Sequence, residues 1–254
     1  MAPKPRLAFD PEREEADLRS YLGPDYSRNK LERYEHALHD ELTTYDGDEA
    51  TFYRSSHAYL YDLTVFAMSA TKLPYLQTLT RLVAPGSRLL DYGCGIGSDG
   101  LLLLDAGYRV EFADFDNPST AYLRWRLAQR SLHVPVHDLD KDVPAGFDAV
   151  YSFDVIEHVR HPFEFLSELE ARAALVIVNL LEIDHHEHEL HYPLPIDELL
   201  AHAAARQLVS YQVLHGSSHL VAYRPEPAGR VRAWCNRVRI AATRHSRRRR
   251  RHAS

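Results

Sequence analysis

From Arg88 onward, short apolar runs alternate with longer stretches in which apolar residues recur at helical spacing. The short runs predict buried strands and the longer stretches predict helices. The predicted strands are residues 88–92, 109–114, 133–138, 147–154 and 174–180, and the predicted helices are residues 98–105, 119–131, 162–171 and 196–205. This alternation predicts a parallel sheet with helices on both faces. Two last runs around Gly216 predict a hairpin, residues 208–214 and 217–223, that adds one antiparallel strand.

The first 72 residues have a different pattern, that of a helical segment rich in tyrosine. Apolar residues recur there at helical spacing, at Leu31, Tyr34, Leu38 and Leu42. A further helix is predicted over residues 74–83. We therefore predict three parts: a helical N-terminal segment (1–72), an α/β domain (73–224) and a basic C-terminal tail (225–254).

The composition is that of an ordinary globular protein, with 45% hydrophobic and 26% charged residues in a chain of 254. Two cysteines exclude a disulfide framework and favour a reducing compartment. The first twenty residues are charged and do not form a signal peptide. The longest strongly apolar run, residues 173–181, is too short to span a bilayer. We expect a soluble, cytoplasmic protein.

The net charge of −6 hides a basic C-terminal end. Eleven arginines and a single acid, Glu226, follow residue 223. A block of like charge is typical of a tail outside the fold. Apolar residues interleave with these arginines, at Val231, Trp234, Val238 and Ile240. As a helix the segment would be basic and amphipathic, which suits an anionic membrane surface or RNA.

A glycine loop joins the first predicted strand to the helix that starts at Ser98. Gly93, Gly95 and Gly97 let the backbone approach a ligand closely, next to the free amides of a helix N-terminus. Gly95, Gly97 and Gly100 also fit the dinucleotide spacing G-x-G-x-x-G, so NAD is an alternative ligand.

Two features favour a different ligand. The turn begins at Gly93, two residues earlier than the dinucleotide frame requires, and Asp91 stands at the end of the strand. Its carboxylate would repel a pyrophosphate but tolerate a sulfonium that carries an amino-acid tail.

With these motifs, residues 88–223 resemble the class I methyltransferases that use S-adenosylmethionine (SAM), in particular those that act on small molecules. The family's first motif is an acid two residues before G-x-G-x-G, matched by Asp91, Gly93, Gly95 and Gly97. The resemblance implies that this loop, with Cys94, wraps the methionine part and sugar of SAM. It also implies a seven-stranded, mostly parallel Rossmann-like sheet.

Further motifs match in order along the chain. Asp114 ends the second strand, where the resemblance implies an acid, with Phe115 beside it, that accepts hydrogen bonds from both ribose hydroxyls. Asp116 is the alternative acid in the same turn. Asp138 and Leu139 follow the third strand, where the family contacts adenine.

The most telling match is residues 147–159, which look like the fourth strand and following turn of small-molecule methyltransferases. The resemblance implies cofactor contacts from Phe153 and Asp154. The sequence departs from the family after the next helix, where Ala171 to Ala174 replace a Pro-Gly-Gly turn. That turn is structural, so the departure concerns the local backbone and not the cofactor.

Methyl transfer from a sulfonium is an in-line displacement, so the protein mainly aligns the acceptor and removes its proton. His158 is the candidate general base, with packing under the turn as the alternative. His191 is a second candidate, from a loop that leans over the pocket in the family. The histidines at 185–191 fit no metal motif, and no metal is expected.

The N-terminal segment resembles the variable helical lid of small-molecule methyltransferases. Four tyrosines are candidates for an aromatic substrate pocket: Tyr21, Tyr26, Tyr59 and Tyr61. Half-buried packing is the alternative for each of them.

The functional hypothesis is a SAM-dependent methyltransferase acting on a small molecule, in specialised metabolism. The paired prolines typical of base methylation are missing after residue 152. Three alternatives remain: other chemistry on the same fold, a non-catalytic subunit that binds a protein or RNA, and an NAD-dependent oxidoreductase. The acids Asp91, Asp114 and Asp138 argue against a degenerate, non-catalytic pocket.

Overall fold

The computed structural model describes residues 7–47, 51–52, 55–56, 58–182 and 191–251. Over these residues a seven-stranded sheet has the strand order β3-β2-β1-β4-β5-β7-β6. The strands are β1 (Arg88–Tyr92), β2 (Arg109–Asp114), β3 (Val136–Asp138), β4 (Ala149–Ser152), β5 (Val176–Leu181), β6 (Arg206–Leu214) and β7 (Ser218–Pro227). The chain divides into two compact units, Met1–Val143 and Pro144–Ser254.

The first unit carries the N-terminal helices and the parallel strands β1, β2 and β3. Its helices are α1 (Pro11–Leu22), α2 (Arg28–Glu32), α3 (Tyr34–Thr44), α4 (Ala58–Met68), α5 (Leu73–Leu82), α6 (Ser98–Asp105) and α7 (Pro118–Gln129). A short 3-10 turn, Gly23–Asp25, follows α1. The apolar spacing across Leu31 and Tyr34 does not belong to one helix, because the backbone breaks at Arg33.

Local signals in the sequence explain where the long helices of this unit begin. Asp10 caps α1 by accepting from the amide of Arg13, and Pro11 occupies the first turn, where its missing N–H is no loss. Asn117 and Thr120 form a reciprocal capping box at the start of α7. These caps fix where α1 and α7 begin. The two helices are joined by a buried arginine, Arg126.

The second unit carries parallel strands β4 and β5, and the antiparallel pairs β5–β7 and β7–β6. Its helices are α8 (Pro162–Glu170), α9 (Ile196–Ala204) and α10 (Arg230–Arg251), with a 3-10 turn at Ile156–His158. The hairpin between β6 and β7 turns at His215 and Gly216, both of which have positive φ. It places one antiparallel strand, β7, inside the sheet, as predicted.

The Rossmann-like fold class predicted from the sequence is confirmed, and β1, β2 and α6 have the predicted bounds. Strand β3 is shorter than predicted, because Pro135 offers no amide to a strand. Strand β4 is also shorter and ends before Asp154, whose φ of 56° is incompatible with an extended strand.

The basic C-terminal segment contacts the rest of its unit, unlike the tail outside the fold that its charge predicts. The predicted boundary after residue 224 lies inside β7, and α10 begins three residues after that strand ends. Ile240 and Asn236 are buried, and the side-chain amide of Asn236 donates to the carbonyl oxygens of Ala204 and Arg206. The described part of α10 therefore packs on its own unit. None of the helices described is long and apolar enough to cross a membrane.

Candidate functional site

The glycine loop after β1 has a backbone that only glycine adopts without strain. Gly93, Gly95 and Gly97 have φ values of 77°, 51° and 74°. The Gly93 amide donates to the carbonyl of Ala113 at 2.8 Å, which ties the loop to the end of β2. A Cβ on Gly97 would lie 2.3 Å from Cδ1 of Leu123. Backbone conformation and packing together require glycine at this position.

Gly100 serves packing alone. It lies in the first turn of α6, and a Cβ there would come within 2.2 Å of Cε1 of Phe112 on β2. The third glycine of the apparent dinucleotide spacing thus lets α6 lie close to the sheet, without any need for a positive φ.

Asp114 bonds the glycine loop with one carboxylate oxygen and the backbone after β2 with the other. Oδ2 accepts from the Gly95 amide and Oδ1 from the Phe115 amide, each at 2.7 Å. Asp116, the alternative acid, points to the surface, where it pairs with Arg124 at 2.7 Å. Only Asp114 therefore places a carboxylate on the glycine loop, where it suits the two adjacent hydroxyls of a ribose.

The loop has a negative electrostatic environment. Asp91 is buried at the end of β1, one strand away from Asp114 on β2. Burial raises the pKa of the Cys94 thiol, and the charges of Asp114 and Asp91 raise it further. Cys94 is therefore a neutral thiol. The setting favours a cationic sulfonium over a pyrophosphate.

Asp138 and Leu139 lie beside Asp114, as the parallel pairing of β2 and β3 requires. Asp114 and Asp138 are register partners, and the Leu139 amide donates to the carbonyl of Asp114 at 3.0 Å. A hydrogen bond from Lys141, with one from the Asp140 amide, lowers the pKa of Asp138. The first unit thus collects its predicted cofactor residues at the carboxyl ends of β1, β2 and β3.

Helix α4 of the N-terminal segment lies against the glycine loop. Cδ1 of Leu63 is 3.1 Å from the position that a Cβ on Gly95 would occupy. The neighbouring Asp62 is an acid that sequence patterns did not single out. Burial raises its pKa to about 6, as does the nearby charge of Glu35, while Lys72 opposes the shift. The helix therefore brings a weakened acid into the same part of the first unit as the loop.

A buried arginine joins α1 to the loop, and it too was missed by sequence reasoning. Arg126 on α7 is fully buried; its Nη1 donates to the Ile96 carbonyl at 3.0 Å and to Oγ of Ser98 at 2.8 Å. Its Nη2 donates to Glu14 at 2.7 Å, and Nε pairs with Asp17 at 3.2 Å. Ser98 also donates to Glu14 at 2.8 Å. The only local signal is an arginine among the apolar positions of α7.

The four candidate substrate tyrosines are largely engaged in packing within the first unit. Tyr61 is buried and its hydroxyl accepts from the Ser27 amide at 2.9 Å. Tyr26 donates to Glu15 at 2.9 Å. Tyr21 packs on Tyr122, with ring centroids 4.8 Å apart, and Tyr59 is half-buried on α4. A substrate contact from any of them stays a prediction.

In the second unit, the turn after β4 is held by an asparagine. Asp154 has a left-handed backbone, its amide donates to Oδ1 of Asn179 at 2.8 Å, and Nδ2 of Asn179 donates back to Oδ1 of Asp154. Asn179 is fully buried on β5 and also donates to Ser218 at 3.2 Å. Phe153 is buried against Tyr151. The pair fixes a strained turn in which a non-glycine residue would otherwise be unfavourable.

The structure brings the two candidate catalytic histidines together. The rings of His158 and His191 meet edge to face, with centroids 4.6 Å apart. The Tyr192 amide donates to the Glu157 carbonyl at 2.7 Å, and Arg160 bonds the Tyr192 hydroxyl at 3.3 Å. These contacts hold His191 and Tyr192, where the described chain resumes, against the turn that carries His158.

The other histidines of that predicted cluster, at 185, 186 and 188, lie outside the described residues. Among the residues that the structure does describe, no group of histidine, cysteine and acidic side chains could hold a metal ion.

A protein-family model described as a methyltransferase domain matches residues 69–213. The match covers more than half of the chain, and the chain belongs to this methyltransferase family. The class predicted from the glycine loop and the motifs after it, an enzyme of the class I SAM-dependent methyltransferases, is confirmed at the level of the family.

Individual relatives match only part of the chain. Ubiquinone biosynthesis O-methyltransferase of Xanthomonas campestris pv. campestris (strain B100) is 30% identical over 105 residues, 39% of this chain and 43% of that protein. The tRNA U34 carboxymethyltransferase of Geobacter sp. (strain M21) is 35% identical over 109 residues, 39% of this chain and 31% of that protein. The chain thus matches less than half the length of either relative.

The fold is shared with solved methyltransferases. Magnesium protoporphyrin IX methyltransferase from Synechocystis PCC 6803, in a crystal structure with bound SAM, aligns with a TM-score of 0.50 at 15% identity. The alignment covers 87% of this chain and 99% of that one. At this identity the likeness concerns the fold.

Proposed function

We propose that this chain transfers a methyl group from SAM to a small-molecule acceptor. The observation that carries the proposal is the glycine loop, in which Asp114 bonds the Gly95 amide between two further glycines of positive φ. A loop with glycine at alternate positions beside a carboxylate fits an adenosyl group with a cationic sulfur. The residues present therefore fit the cofactor of the family.

SAM, when bound, supplies an electrophilic methyl group that leaves a neutral thioether behind. In our proposal the chain's own residues bind this cofactor and orient it. Asp114 accepts from the ribose hydroxyls, with Phe115 next to it, and Asp138 and Leu139 border the adenine. The loop from Gly93 to Gly97, with Cys94 and Asp91, surrounds the methionine part. Phe153 and Asp154 provide further cofactor contacts at the turn after β4.

His158 takes the proton from the acceptor as the acceptor attacks. A neutral imidazole has an ordinary pKa close to the working pH, which suits a general base. His191 lies against its ring edge to face and restricts the orientations available to it. We assign His191 as the residue that positions this base, and Tyr192, whose amide donates to the Glu157 carbonyl, as the support for both.

The turn after β4 bears on the class of acceptor. That turn reads Ser152-Phe153-Asp154-Val155 and has no proline pair of the kind typical of base methylation. One relative is named for ubiquinone biosynthesis and another for a tRNA uridine, so both acceptor classes occur among similar proteins. We favour a small molecule with an ionisable hydroxyl, because a base such as His158 is useful for that chemistry.

The proposal is tested by offering methyl-labelled SAM with a panel of phenols and catechols, and separately with bulk tRNA. We expect label transfer to a member of the small-molecule panel, lowered about 100-fold in His158→Gln, since a general base contributes on that order. His202→Gln is the matched control, because that histidine is engaged with Glu170 on another helix. Label in tRNA alone, or equal rates in both variants, would contradict the proposal.

A further inference from the structure

Helix α10 has an inward face that fixes it to its own unit. Asn236 and Ile240 are buried on that face, and the side-chain amide of Asn236 donates to the carbonyl oxygens of Ala204 and Arg206 at 3.0 and 3.2 Å. Further along, Arg244 pairs with Asp197 of α9. The helix is therefore held in one orientation, which determines what its other face presents.

The outward face of α10 is apolar. Val231, Trp234 and Val238 are 77%, 66% and 48% exposed. Their spacing of three and four residues places them in one stripe, on the side of the helix away from Asn236 and Ile240. The remaining exposed residues of the stripe are Cys235, Ala241, Ala242 and His245. Among the described residues, the only other large hydrophobic side chain that is exposed is Phe163.

Arginines border the stripe on both sides. At 3.6 residues per turn, Arg230 and Arg237 fall along one edge, and Arg232 and Arg239 along the other. All four are exposed. The sequence has no acid after Glu226, and arginine continues to the end of the helix at Arg251. The result is an apolar strip between two rows of positive charge.

We propose that α10 is a membrane-surface helix that docks the protein on anionic lipids. The stripe centred on Trp234 enters the boundary between headgroups and acyl chains, and the arginines on either side reach the lipid phosphates. Negatively charged headgroups attract such basic segments, and the indole of Trp234 suits the interface. The helix lies on the surface and does not span the bilayer.

Two other occupants fit this face less well. Nucleic acid would require positive charge at the centre of the contact, where this helix has valine and alanine between the arginine rows. A second copy of the chain would bring the arginine rows of two helices against each other, and like charges across an interface oppose association. An anionic lipid surface satisfies the apolar centre and the basic edges at once.

This inference goes beyond the proposed methyl transfer and does not rest on it. It needs neither SAM nor an acceptor, since the helix, its buried face and its exposed stripe all belong to the second unit. Its test therefore measures lipid binding directly, without a readout of activity.

The test is flotation of the full chain with vesicles of phosphatidylcholine alone or with about one third phosphatidylglycerol. We expect binding to the anionic vesicles only, weakened at least about tenfold in the variant Trp234→Ser/Val238→Ser, which removes the apolar contact. Phe163→Ser is the matched control, because it removes an exposed aromatic side chain from α8, and it should bind as the parent does. Thermal unfolding checks that each variant is folded.

Fluorescence identifies the inserting side chain. The chain has two tryptophans, Trp125 and Trp234, so Trp125→Phe leaves Trp234 as the single reporter. A blue shift on adding anionic vesicles, and quenching by lipids brominated on the acyl chain, would support insertion. Equal binding to both kinds of vesicle, or retained binding in Trp234→Ser/Val238→Ser, would overturn the proposal. So would binding to tRNA in place of vesicles.

Discussion

The carboxylate of Asp114 bonds two backbone amides at once, and Gly97 lies in the left-handed region directly beneath Leu123. The contacts of each residue explain its role. Asp114 ties the glycine loop to the end of β2, and Gly97 leaves space for the side chain of Leu123. Asp62 differs, because its environment works against its charge. Burial on α4 and the charge of Glu35 raise its pKa to about 6, from an ordinary value of 3.8.

The shifted pKa of Asp62 predicts a pH-dependent stability. The unfolded chain releases this proton at lower pH than the folded chain does, so the stability contributed by the neutral acid is complete below about pH 4 and is lost as the pH rises through about 6. Asp62→Asn should therefore raise the free energy of unfolding at pH 8 by about 1–3 kcal/mol, an upper bound from the shift. At pH 4 the variant and parent should unfold alike.

Denaturant unfolding at the two pH values measures this difference. Asp40→Asn, at an exposed position on α3, is the matched control and should change little at either pH. A stabilisation by Asp62→Asn that is the same at pH 4 and pH 8 would contradict the account.

At the scale of elements, α1, α7 and the loop before α6 are joined by one buried guanidinium. Arg126 bonds the Ile96 carbonyl of the glycine loop on one side and Glu14 of α1 on the other. Removing one member of a buried pair leaves an uncompensated charge, which is more costly than the pair itself is stabilising. The N-terminal helix is therefore coupled to the loop through Arg126.

Arg126→Met should lower the free energy of unfolding by about 3–5 kcal/mol and weaken the binding of S-adenosylhomocysteine, the demethylated product of SAM. Arg124→Met on the same helix is the control, since Arg124 is exposed and its guanidinium bonds Asp116 and Thr120 but no group of α1 or the glycine loop. Thermal unfolding and calorimetry measure the two effects. Equal losses in the two variants would show that the coupling through Arg126 is absent.

Local patterns along the chain predicted those elements whose signals lie close together. The bounds of β1, β2 and α6 follow from apolar runs and glycines, and Asp114 follows from its place at a strand end. The partners of Arg126 could not be found in this way, because Glu14 is 112 residues away in sequence. The contact between His158 and His191 is of the same kind: each was a candidate alone, but a fold was needed to join them.

Helix α10 shows a different limit. Its inward face has Asn236 and Ile240, while its outward face has Val231, Trp234 and Val238, so the more apolar side is the exposed one. Periodicity therefore cannot tell which face packs, and charge alone predicted a tail outside the fold. The hydrogen bonds of Asn236 to the end of α9 and the start of β6 determine the orientation.

At the scale of the whole molecule, this methyltransferase-family chain has an N-terminal helix, α1, tied to the glycine loop through Arg126, and a basic helix, α10, for which we propose lipid binding. The two proposals make separate demands: cofactor binding at the glycine loop does not require lipid, and lipid binding by α10 does not require the cofactor. The central claim is that the loop between β1 and α6, together with Asp114, binds an adenosyl sulfonium cofactor.

That claim is tested most directly by calorimetric titration with SAM, S-adenosylhomocysteine and NAD. The parent chain and Asp116→Asn should bind the first two ligands and not NAD, whereas Asp114→Asn should bind them at least about tenfold more weakly, since it exchanges a charged acceptor for a neutral amide. Binding of NAD alone, or equal affinities in Asp114→Asn and Asp116→Asn, would contradict the account.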